Sequence, residues 1–166
     1  MLQAFCFGTV AVTLEDLYFI DPDPDPGQED PERGVRVELR LMEASPWRGS
    51  IYAAQRSVLD SGLWRVDLFE SISGGPGSKD RMHHHPRMAE DEPGQRVFDV
   101  ALTDDPFGWL GTRLADLPEA CLSPEHKAGV AELLANSTRI VAAARDMLER
   151  VRAGELALAP TRPTSL

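Results

Sequence analysis

Along the first hundred residues apolar and polar side chains alternate, a period of two that predicts strands. Residues 2–7, 9–14 and 17–20 are apolar, aromatic or β-branched stretches parted by Gly8 and by Glu15-Asp16. The clearest strand is 35–41, where Val35, Val37, Leu39 and Leu41 face one way and Arg36, Glu38 and Arg40 the other. Ser45-Pro46-Trp47-Arg48-Gly49 turns the chain, and 51–58 with 63–71 reads as a hairpin around Asp60-Ser61-Gly62. In its second arm Trp64, Val66 and Leu68 share a face, with Arg65, Asp67 and Phe69 opposite. A last strand is expected at 96–102, with Phe98, Val100 and Leu102 on one side. Two loops interrupt the pattern, an acidic proline-rich one at 21–33 and a Gly-Pro-rich one at 73–95. In the first, prolines remove ladder donors and carboxylates repel one another, so it reads as a solvated loop and not a calcium site.

After residue 103 the period becomes about 3.6. Asp105-Pro106 opens a helix with a capping carboxylate and a first-position proline, Leu110, Leu114 and Leu117 line it, and Pro118 ends it. Ser123-Pro124 opens a second helix. Its buried stripe is Val130, Leu133, Leu134, Ile140, Val141, Leu148 and Val151, completed by Ser137 and Ala144. Gly154 is the expected stop, and 155–166 the expected flexible tail. Such a helix is roughly 45 Å long, against a globule about 40 Å across. It must break near Gly129 or pack its far end, around 140–151, on a second copy, which predicts a homodimer. The expected architecture is α+β: one domain over 1–154, an antiparallel sheet, open or barrel-like, covered by C-terminal helices at 105–153.

Composition narrows the function. The 166 residues are 42% hydrophobic, enough for a core, with 13 glycines and 13 prolines in the loops. Seventeen basic against 27 acidic residues give a net charge of −10, the wrong sign for broad nucleic-acid binding. No apolar run approaches the roughly 18–20 residues that span a bilayer, and the N-terminus lacks the build of a signal peptide, so a cytoplasmic protein is expected. Cys6 and Cys121 are too few for a disulfide framework. They read as small buried hydrophobes rather than nucleophiles.

The chemical clue is Lys79-Asp80-Arg81-Met82-His83-His84-His85-Pro86-Arg87. In extended backbone His83 and His85 share a face and His84 points away. A His-x-His pair starts many metal sites, because neutral imidazole suits zinc, iron, copper and nickel. A third ligand is then needed, and Glu90 and Asp99 are the expected ones, with Asp80 and Glu70 also near in sequence. Arg81 and Arg87 are the expected catalytic cations, able to stabilise charge on an anionic substrate. Two other readings stay open: a metal-free acid–base site using histidine and arginine, and a loop whose histidines only bond their neighbours. Ser73-Gly74-Gly75-Pro76-Gly77 lacks a following helix and reads as a flexible connection, not a phosphate cradle.

Several motifs carry resemblances. Gly77, His83-x-His85 and Glu90 are similar to the opening of the first cupin motif, but only one strand follows and His126 starts a helix, so the cupin fold is not expected. Arg81 to Pro86, Arg96-Val97-Phe98-Asp99, Leu102-Thr103-Asp104-Asp105-Pro106 and Trp109-Leu110 resemble an uncharacterised family of small acidic bacterial proteins, over roughly residues 34–120. That likeness implies no activity. His84-His85-Pro86 is also similar to the His-His-Pro run of toxins of the TumE type, although the preceding Asn-Ala-Pro is absent. Three functions follow: a metalloenzyme acting on a small anionic molecule, a metal-free ribonuclease or toxin-like protein, and a non-catalytic dimeric interaction module.

Overall fold

The computed structural model describes residues 1–24, 26–43, 57–89 and 91–160. Five antiparallel strands lie side by side in chain order: β1 (Leu2–Phe7), β2 (Val10–Phe19), β3 (Glu32–Met42), β4 (Leu59–Ser71) and β5 (His83–His85). A small hairpin, β6 (Met88–Ala89) and β7 (Glu92–Pro93), follows, then α1 (Val100–Asp104), α2 (Pro106–Ala115) and α3 (Lys127–Arg152). The layout is α+β, with the helices against one face of the sheet.

Alternation decides which face they cover. Phe5, Phe7, Val10, Val12, Leu14, Val35, Val37, Leu39, Trp64, Val66 and Leu68 are buried on the inner side. Against them pack Leu102 of α1, Leu110 and Leu114 of α2, and Leu133, Ile140, Ala144, Leu148 and Val151 of α3. The outer face carries the polar partners in register, Arg36 opposite Glu15 and Asp67, and Glu38 opposite Thr13 and Arg65. This pairing explains why β2 does not break at Glu15-Asp16. Glu15 faces Arg36 across the strands, and Asp16 accepts the N–H of Ala157 at 2.6 Å.

The long helix neither breaks at Gly129 nor overhangs the sheet. It starts at Lys127, four residues after the expected opening, and runs 26 residues, about 39 Å. β4 alone spans 13 residues, about 43 Å, so the sheet is long enough to back it. Gly129 permits the close approach, since a Cβ there would stand 2.0 Å from the Phe7 carbonyl oxygen. At the other end Arg152 pairs with Glu70 of β4. Leu133, Ile140, Ala144, Leu148 and Val151 of the stripe are buried in their own chain, Val130, Ser137 and Val141 are half-buried, and Leu134 is 41% exposed.

Two of the expected helix signals operate, although Ser123-Pro124 does not open α3. Asp105 caps α2 by accepting the Gly108 N–H at 3.0 Å, with Pro106 in the first position. Gly154, at φ 76°, closes α3 as Glu155 N–H returns to the Arg150 carbonyl and Gly154 N–H to that of Val151. The chain does not leave the body there, because Ala157 is buried.

Three expectations fail. The histidine run is a strand, not part of a loop. The strand expected at 96–102 shrinks to one bridge between Val97 and His84, because the Asp99 carboxylate accepts the Ala101 N–H and starts α1. Phe98 and Val100 are accordingly exposed. Asp60-Ser61-Gly62, expected as a turn, lies within β4; the turn at 45–49 and residues 51–56 of the strand expected at 51–58 fall outside the described residues. No helix among the described residues is long and apolar enough to cross a membrane.

Candidate metal centre

Strand register assembles the site on the outer face. Arg36 of β3, Asp67 of β4 and His83 of β5 form one cross-strand row, and Glu38, Arg65 and His85 form the next. Directly opposed residues bring their side chains together. The imidazoles of His83 and His85 share this face, their centroids 5.1 Å apart. His84 projects to the other side and lies against Trp109, centroid to centroid 4.9 Å.

Asp67 is the hub. Its side chain is 1% exposed, with Oδ1 accepting Arg36 Nε–H at 2.9 Å and Oδ2 lying 3.0 Å from Arg65 Nη2. His83 Nε2 stands 3.3 Å and His85 Nε2 3.8 Å from the same Oδ2. Burial alone would raise the Asp67 pKa. His83 and the two guanidiniums outweigh it and hold the carboxyl far below the usual range.

Both rings have their tautomer set by the backbone. His83 Nδ1 is 2.9 Å from the Arg81 carbonyl oxygen and His85 Nδ1 2.7 Å from that of Gly94. A carbonyl only accepts, so each Nδ1 carries hydrogen, and a ring in its neutral form then presents its lone pair at Nε2. Burial pushes the His85 imidazole down to about 4, which keeps it neutral near pH 7. His83 Nε2 is buried and lacks hydrogen-bond geometry with any described residue, although it faces a carboxylate oxygen. Two lone pairs and a carboxylate directed at one point repel each other unless a cation lies between them.

Asp67, His83 and His85 could hold a metal ion. Ligands about 2.0–2.1 Å from a tetrahedral ion are about 3.3 Å apart, close to the spacings seen here. A carbonyl behind each ligating imidazole is also the usual outer support of such sites.

The expected site residues are dispersed. Asp99 does not join the pair: it caps α1, accepts Trp109 Nε1–H at 3.0 Å and lines a cleft with His84. Glu90 lies outside the described residues. Glu70 faces α3 and Arg152, and Asp80 accepts from Ser71 and Ser78. Arg81 turns away, its Nη2 donating to the Gly27 carbonyl oxygen and its Nε 3.6 Å from Glu32, so it serves His83 through its own carbonyl. Arg87 is exposed beside a separate hollow near Pro118. Among the described residues, the cations that do reach the centre are Arg36 and Arg65. In the glycine-rich connection Gly74 and Gly77 donate to Ser71 and Glu70, so those N–H groups are already committed.

No family model, curated protein or solved structure matches this chain. The site is therefore read from its own residues. Sequence reasoning missed Asp67 as a member of this cluster, although one signal was available: it sits in phase with Arg65 on the polar side of the strand preceding the histidines.

Proposed function

We propose that this sheet face is the metal centre of an enzyme acting on a small anionic substrate. Asp67 Oδ2 and the Nε2 atoms of His83 and His85 are its ligands. The observation that carries this reading is the convergence of two backbone-oriented imidazole Nε2 atoms on one buried carboxylate oxygen. Two histidines and a carboxylate are the donor set of zinc hydrolases and of non-haem iron(II) oxygenases, which puts zinc and iron ahead of copper and nickel. A bound ion of this kind supplies Lewis acidity and lowers the pKa of its water to about 7. Arg36 supplies positive charge for the substrate's oxyanion.

One observation favours a metal-free alternative, in which histidine and arginine do acid–base work on a ribonuclease- or toxin-like substrate. Arg65 Nη2 already lies 3.0 Å from His85 Nε2. Elemental analysis of protein expressed without a histidine tag separates the two. About one equivalent of zinc or iron is expected in the wild type and little in Asp67→Asn. A folded wild type that takes up neither metal, even after reconstitution, overturns the metal reading.

A further inference from the structure

The metal reading has a competitor inside the site. Arg65 Nη2 is 3.0 Å from His85 Nε2 and 3.0 Å from Asp67 Oδ2, bridging two of the three ligand atoms. The guanidinium is mostly buried, and its Nε has no hydrogen-bond partner among the described residues. Building on the metal reading, we infer that Arg65 is an internal cation standing in the metal's place, so that loading the ion and releasing the guanidinium are one event. An arginine keeps its charge, and the single lone pair of His85 Nε2 cannot serve a guanidinium and a divalent ion at once. The register supplies a destination for the displaced group. Glu38 stands opposite Arg65 on β3, and its present partner Arg40 has a second carboxylate in Asp91.

Without the ion the same bridge neutralises the ligand cluster, so its removal has two effects of opposite sign. Arg65→Gln should bind zinc at least about ten-fold more tightly, because the competing charge is gone. The same variant, free of metal, should unfold at a lower temperature, because Asp67 loses one of its two cations. The experiment is equilibrium dialysis against zinc for wild type, Arg65→Gln and Arg65→Lys, alongside thermal unfolding of each metal-free protein. Lysine keeps the charge but lacks the fork that reaches both ligand atoms, so its zinc affinity should fall between the other two. It carries the test alone if the glutamine variant does not fold. Equal zinc affinity across the folded variants overturns the competition and leaves the metal centre intact. No zinc uptake by folded wild type or either variant overturns the metal centre itself.

Discussion

At the scale of single residues the centre depends on which nitrogen of each ring is free. The Arg81 and Gly94 carbonyls take the Nδ1 hydrogens of His83 and His85, so Nε2 is left to face Asp67. His84, between them, has no part in this cluster, since strand alternation turns it toward Trp109. His84→Ala should therefore leave metal content within about 20% of wild type, whereas His83→Ala or His85→Ala should lose most of it, because two donors hold such an ion poorly. Equal losses at all three, measured on dialysed and folded protein, would contradict the assignment. The exposed Cys6 and buried Cys121 are both free, and burial pushes the Cys121 thiol up to about 11, which keeps it inert.

At the scale of elements, the connection between β4 and β5 sets where the histidine strand begins. Asp80 anchors it by accepting from Ser71 N–H at 3.0 Å, from Ser71 Oγ and from Ser78 Oγ. Burial would raise the Asp80 carboxyl, but these hydrogen bonds win and hold it below its ordinary value of 3.8. A depressed folded-state pKa gives stability that is present above the ordinary value and is lost as pH falls through the folded one. Between pH 5 and about pH 2 the wild type should thus lose more stability than Asp80→Asn, read as the shift in urea midpoint. Parallel losses would show that Asp80 contributes nothing to acid sensitivity.

At the scale of the whole molecule the sheet separates two kinds of chemistry. Its inner face holds the apolar core under α2 and α3, and its outer face holds the charged rows of β3, β4 and β5. Since the proposed ligands come from two strands, a bound ion cross-links them only in the folded state. Zinc at about one hundred times its dissociation constant should add about 2.7 kcal/mol of stability. For a chain of this size that corresponds to about 5–10 °C in Tm. The shift should be reversed by a chelator and absent in Asp67→Asn. A wild type whose Tm ignores zinc would oppose the metal centre.

Local pattern alone determined much of this protein. Alternation over 35–41 and 63–71 marked the faces of β3 and β4, with Arg65 and Asp67 placed opposite Trp64 and Val66. Asp105-Pro106 and Gly154 set the start of α2 and the end of α3 through caps formed within a few residues. The His-x-His pair announced its own geometry, because a strand puts every second side chain on one side. Three things were decided only by the fold. Asp67 became the third member of the cluster because β4 pairs with β5 in the register Asp67 to His83, a contact 16 residues apart that no local spacing encodes. Asp99, nearer in sequence, was lost to the site because capping α1 gave its carboxylate a backbone partner. The third was α3, which sequence length made too long for one globule. The extended strands gave it a surface of matching length, and Gly129 let it settle against Phe7. Periodicity reports which side of an element is buried; register and packing decide what meets it there.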